Sequence, residues 1–132
     1  MTHYMKLKPH PFLLIASKMK TIELRLLDEK RRKIEVGDTL IFENAEDLSS
    51  KISCVVKKLH IFGNFEELYD CLPLDKCGYL PYEVETASFK DMEEYYSVDE
   101  QKRFGVVGIE IELILLFKTY WFFIYIMIKY VI

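Results

Sequence analysis

Cysteine is scarce and badly placed for pairing. Cys54, Cys71 and Cys77 are odd in number and form no C-x-x-C. That argues against a disulfide framework, and against a zinc site, since nothing supplies four ligands at usable spacing. The three histidines, His3, His10 and His60, are equally scattered. No metal and no cofactor is expected. Free thiols in a reducing cytoplasm are, in keeping with the lack of a recognisable signal peptide. The chain also lacks an internal repeat and any low-complexity linker, and its 132 residues suffice for one domain with a real core. Disorder is excluded by 14% aromatic residues and an apolar share of 51%.

Charge, by contrast, is plentiful: 30% of residues carry it, more than soluble domains average. The excess of apolar residues is local. Residues 113–132 are interrupted only by Lys118, Thr119 and Lys129, and without them the apolar share is ordinary. A domain is therefore expected over residues 1–112, with 113–132 as a hydrophobic C-terminal extension. The extension has the length of a membrane span, and Trp121 with its tyrosines suits an interface. Its longest run without charge, residues 119–128, is short for a span. A tail anchor in a membrane and an extension packed on the domain both stand open. The net charge of −3 hides an asymmetry. Residues 1–33 hold nine Lys and Arg against Glu23, Asp28 and Glu29, a basic third on an otherwise acidic chain.

Residues 3–7 alternate in polarity and predict a short strand. Pro9 and Pro11 break it, and Pro11 suits the first turn of a short buried helix over 12–18. Residues 21–27 alternate again, with Ile22, Leu24 and Leu26 on one face and Thr21, Glu23 and Arg25 on the other. A charged turn at 28–33 and a tight turn at 36–38 lead into a third strand over 39–43. A polar loop is expected at 44–50 and a long fourth strand at 51–62. Asn64 caps a helix over 65–72. Residues 73–85 read as irregular with one helical turn. Residues 88–96 read as a helix with Ser88 as cap and Asp91 at the capping-box position. A short helix over 97–103 precedes a closing strand over 104–113. Five strands interleaved with short helices, without a repeated β-α-β unit, make an α+β fold: a small mixed β-barrel decorated by short helices.

The stretch Lys20-Thr21-Ile22-Glu23-Leu24-Arg25 carries the chemistry. On a strand Glu23 and Arg25 share a face, and Lys20 reaches it from the strand's start. Two cations and a carboxylate converging beside a charged turn suit a phosphate or a base edge: Arg binds bidentately, Lys supplies a point charge, and Glu accepts from an amine or orients Arg. A salt bridge on a solvated face uses the same residues. The run Lys30-Arg31-Arg32-Lys33 is open to two readings, phosphate neutralisation or solubility. Tyr79, Tyr82, Tyr95 and Tyr96 offer faces for stacking bases, or pack as ordinary tyrosines.

Residues 18–25, Lys-Met-Lys-Thr-Ile-Glu-Leu-Arg, resemble the G-x-K-x-x-E-x-R motif of the ASCH domain, a PUA-like β-barrel family, with Lys18 where that motif has glycine. The flanks are similar too: His3-Tyr4-Met5-Lys6-Leu7 and Lys8-Pro9-His10-Pro11-Phe12 before it, Val36-Gly37-Asp38 and Leu40-Ile41-Phe42-Glu43-Asn44 after it. Met92-Glu93-Glu94-Tyr95-Tyr96 and Phe104-Gly105-Val106-Val107-Gly108-Ile109 look like the family's last helix and strand. The resemblance covers about residues 3–112.

The resemblance implies a barrel with a motif-lined cleft that binds RNA or a nucleotide-like ligand. Lys20, Glu23 and Arg25 carry over as motif residues. Asn44, at the end of the third strand, and Arg32, in the turn that flanks the family's cleft, are further candidate contacts, and Tyr95 is the candidate stacking face. A hydrolase is the alternative. One bacterial branch of the family deacetylates N4-acetylcytidine with a lysine, a threonine three residues on and a distant glutamate. Lys20 matches the lysine, but Glu23 stands at the threonine's position. Other branches are ribonucleases, for which Lys20, Glu23 and Tyr95 would serve as acid and base groups. A protein-interaction module using the acidic segments between residues 64 and 101 is a third reading.

Overall fold

Alternating burial along residues 2–7 sets the first strand of the computed structural model, which describes residues 1–114 and 124–131. In β1 (Thr2–Leu7), His3, Met5 and Leu7 turn inward while Tyr4 and Lys6 turn out. Helix α1 (Pro9–Ala16) follows, then β2 (Ile22–Leu26), β3 (Thr39–Asn44) and the sixteen-residue β4 (Asp47–Phe62). Helices α2 (Phe65–Cys71) and α3 (Val98–Phe104) and several 3-10 turns separate β4 from β5 (Val106–Leu113).

The strands form one mixed sheet in the order β1-β3-β4-β5-β2, curled into a half-barrel with short helices against it, as the α+β reading expects. β1 runs parallel to β3; the other neighbours are antiparallel. The chain therefore leaves β1 and β2 as the two edges of the sheet. Side chains bridge the gap between them. Lys30 Nζ donates to the Tyr4 carbonyl at 2.9 Å, and Arg25 Nη2 donates to the Lys6 carbonyl at 3.0 Å.

β5 is buried on both faces and serves two cores. Val107, Ile109 and Ile111 join Met5, Phe12, Phe42 and Val56 inside the half-barrel. Val106 joins Ile22, Leu24, Phe65 and Leu68 beneath α2. Gly108 belongs to the second side, where a Cβ would stand 2.7 Å from Leu72 Cδ1. That approach is possible only for glycine.

Local chemistry shifted several element boundaries from the sequence reading. α1 starts at Pro9 rather than at residue 12, because both prolines fit a first turn whose N–H groups have no helical partner. The polar stretch 44–50 is no open loop: Ala45 and Glu46 form a tight turn between Asn44 and Asp47, and β4 begins at once. Residues Phe89–Glu94 form a 3-10 helix in place of an α-helix, although Ser88 and Asp91 close the expected capping box. Of the extension, residues 115–123 and 132 lie outside the described part, and with them most of the tail-anchor reading. Ile126 is buried in the half-barrel core. Among the described residues no helix is long and apolar enough to cross a membrane.

Candidate functional site

The end of α1 aims the motif. Lys18 N–H donates to the Ile15 carbonyl at 3.0 Å and Met19 N–H to the Leu14 carbonyl at 2.9 Å, the paired bonds of a Schellman cap. Such a cap needs a left-handed residue at its turn, and Lys18 supplies it with φ 64°. This is the position where the resembled motif has glycine, which takes that conformation without a Cβ penalty. The cap reverses the chain, and Thr21 N–H then donates to the Lys76 carbonyl at 2.9 Å, fixing the entry into β2.

On β2, Ile22, Leu24 and Leu26 go to the core under α2, and the alternate residues face into the half-barrel. Glu23 stands opposite Ile109 and Arg25 opposite Val107, so two charged side chains enter an otherwise apolar interior at the seam between β2 and β1. Glu23 is 3% exposed. Its Oε1 meets Lys20 Nζ at 2.7 Å, and its Oε2 accepts from Arg25 Nε at 2.9 Å and meets Arg25 Nη2 at 2.8 Å. Burial pushes the Glu23 carboxyl up, but the charges and hydrogen bonds of Lys20 and Arg25 outweigh it and hold the group below the ordinary carboxylate value. For Arg25, too, burial opposes the charge, and the Glu23 carboxylate more than restores it. Gly78 passes beside Lys20 with φ +112°, and a Cβ there would lie 3.4 Å from Lys20 Cδ.

Around this triad opens a cleft of about 440 Å³, a size suited to a small organic ligand. One side is basic, with Lys6, Lys8 and His10 from β1 and the start of α1. The other is aromatic, with Tyr69, Tyr79, Tyr95 and Tyr96. Tyr96 is half-buried and stacks on Phe65 with ring centres 6.0 Å apart. Tyr95 is exposed, and Lys8 Nζ lies 5.7 Å above its ring. Tyr79 donates its hydroxyl proton to Asp91 Oδ2 at 2.7 Å, so the Tyr69 hydroxyl, 2.8 Å away, donates to the Tyr79 oxygen. Burial pushes the Tyr69 phenol up to about 12. The Cys77 thiol, at the cleft wall, is likewise raised to about 12 by burial. It is a neutral thiol at physiological pH and not an activated nucleophile.

Of the candidate residues, Lys20, Glu23, Arg25 and Tyr95 come together in this cleft. Arg32 and Asn44 do not line it. The Arg32 guanidinium donates to the Phe104 carbonyl at 3.0 Å, docking the 28–33 turn on the end of α3. Asn44 Oδ1 accepts from the Glu46 N–H at 3.0 Å and shapes the β3–β4 turn. Tyr82 is 79% exposed and also lies apart. Tyr79 and Tyr96, named from the sequence as aromatic faces, line the cleft as well, whereas sequence reasoning missed His10, Asp91 and Tyr69 as cleft residues. His10 lies in α1 and Tyr69 in α2, and no local pattern aims either at the motif; only Asp91 carried a signal, as a capping residue. Among the described residues no group of three or more His, Cys, Asp or Glu is arranged to hold a metal ion.

The comparisons with known proteins agree with this architecture. The family model of the ASCH domain matches residues 5–115. The crystal structure of hypothetical protein PH0355 is 31% identical, with a TM-score of 0.71, covering 86% of this chain and 100% of that one. The solution NMR structure of protein PF0455 from Pyrococcus furiosus is 30% identical, with a TM-score of 0.64, covering 88% of this chain and 100% of that one. The crystal structure of ASCH from Zymomonas mobilis shares the fold at 14% identity and a TM-score of 0.56, covering 84% of this chain and 66% of that one. No curated protein matches the sequence. With five sixths of its length matched by the family model and its motif residues gathered at one cleft, this chain belongs to the ASCH domain family.

Proposed function

We propose that the protein binds RNA or a nucleotide-like ligand in the cleft around Lys20, Glu23 and Arg25. The observation that carries this reading is the buried carboxylate of Glu23 held between two cations beneath a wall of tyrosines. Cations bound to a buried carboxylate are fixed in place without being fully neutralised by solvent, and fixed donors recognise an anion or a base edge at small entropic cost. Tyr95 and Tyr96 supply faces for a base, and Lys6 and Lys8 supply charge for a phosphate.

Both oxygens of Glu23 accept from cations. A carboxylate so engaged takes the place where the N4-acetylcytidine amidohydrolases of the family have threonine, and this favours binding over hydrolysis. Acetate released from N4-acetylcytidine by the purified protein would reverse that preference.

Filter binding of short RNAs across a salt series tests the main reading. Lys20→Gln and Arg25→Ala are expected to weaken binding at least tenfold, provided circular dichroism reports an intact fold. Wild-type protein without RNA affinity at low salt would sink the proposal.

A further inference from the structure

We propose that a groove beside the cleft is a phosphate track, so that the ligand is a segment of single-stranded RNA and not a free nucleotide. This rests on the nucleotide-binding reading of the cleft and adds a second site to it. The groove is lined by Asp28, Glu29, Lys30, Lys33, Arg103 and Phe104. Its cations come from two elements far apart in sequence, the 28–33 turn and the last turn of α3. The bond from Arg32 Nη2 to the Phe104 carbonyl joins them. Of the two carboxylates, Asp28 is already engaged: it accepts from Arg31 Nη1 at 2.9 Å and from the Arg31 N–H at 3.0 Å. The Arg103 guanidinium lies 4.9 Å above the Phe104 ring, which holds it at the groove. Lys33 and Arg103 are exposed.

The groove and the cleft each send one cation to the outer edge of β1. Lys30 holds the Tyr4 carbonyl and Arg25 holds the Lys6 carbonyl. These carbonyls are two strand residues apart, roughly 7 Å, or about two nucleotide rises in a stacked strand. A base seated beside Arg25 therefore brings neighbouring phosphates to Lys30, with Lys33 and Arg103 beyond. An acidic peptide would also answer the charge. A nucleic-acid strand answers both the charge and the tyrosine-walled cleft next to it.

Fluorescence anisotropy with labelled hexacytidylate, set against competition by cytidine monophosphate, decides the matter. At about 50 mM salt the hexamer is expected to bind more than tenfold tighter than the monophosphate. The double variant Lys33→Gln/Arg103→Gln should lose most of that advantage and reduce the logarithmic salt slope by about 1.4. Lys57→Gln, an exposed cation paired with Glu112, should leave the advantage unchanged. A hexamer no tighter than the monophosphate, or an advantage that survives the double variant, overturns the track and leaves the cleft reading standing. Failure of both probes to bind wild-type protein overturns both. A polyglutamate peptide that displaces the hexamer at equal concentration overturns RNA as the occupant in favour of an acidic peptide.

Discussion

Arg25 and Glu23 are joined twice, through Nε at 2.9 Å and Nη2 at 2.8 Å, and the same Nη2 also holds the Lys6 carbonyl of β1 at 3.0 Å. One guanidinium therefore orients the buried carboxylate and closes part of the seam between the two sheet edges. Neutralising the carboxylate leaves Lys20 and Arg25 facing an amide inside the half-barrel. Removing one member of a buried ion pair costs about 3–5 kcal/mol, and Glu23→Gln should lower unfolding free energy by that amount in a denaturant titration. A loss below about 1 kcal/mol, the size of an exposed pair, would contradict the burial of this cluster.

Acid sensitivity follows from two carboxylates. Glu23 is held below its ordinary value of 4.5 against the pull of burial, by Lys20 and Arg25. Asp38 is held well below its ordinary value of 3.8 by its hydrogen bond with His3, the Glu35 N–H and the terminal ammonium. A folded-state value below the unfolded one means that the unfolded chain binds protons more readily. The stabilisation is thus complete above the ordinary values and drains away as pH falls through the folded ones. Thermal melts should show little change from neutrality to about pH 5 and a falling Tm below about pH 4. The fall should be shallower in Glu23→Gln. A Tm that rises on acidification would contradict the assignment.

Lys18 sits at φ 64° in the cap that ends α1. A left-handed backbone costs an L-residue about 1–2 kcal/mol, part of which glycine returns in unfolded-state entropy. Lys18→Gly should raise stability by about 1 kcal/mol in the same titration. A loss of stability would show that the Lys18 side chain contributes more than its backbone costs.

Tyr79 both donates to Asp91 and accepts from the buried Tyr69. Tyr79→Phe leaves the Tyr69 hydroxyl without its acceptor, a cost of about 1–3 kcal/mol for a buried polar group. Burial, which raises the Tyr69 phenol, is kept in that variant, and the Tyr79 hydroxyl that lowers it is lost, so the Tyr69 phenol should stay above the ordinary range. Ultraviolet titration of the tyrosines checks this; a Tyr69 transition returned to the ordinary range would contradict burial as the cause.

Much of this was legible in residue order. Alternation along residues 21–27 put Glu23 and Arg25 on one face, and that face is where Lys20 meets them. The five strands and the caps Asn64 and Ser88 follow from alternation and from short polar side chains. What remained hidden depends on contacts across the fold. Nothing local says that β1 pairs in parallel with β3, leaving its outer carbonyls to Arg25 and Lys30. Arg32 looked like a cleft cation because its turn flanks the cleft in the resembled family, and the Phe104 carbonyl takes its guanidinium instead. Residues 44–50 looked like a loop because they are polar; the outer end of a long hairpin is polar for the same reason, since water covers both of its faces.

The central claim is that the cleft over Glu23 receives a nucleotide. Titrating isotope-labelled protein with cytidine monophosphate, and following backbone amide resonances by NMR, tests it most directly. The account predicts saturable shifts concentrated at Lys8, Lys20, Glu23, Arg25, Gly78 and Tyr95, and their loss in Lys20→Gln. Shifts that are absent at millimolar ligand, or that map to the far face of β4 and leave these residues unmoved, would contradict it.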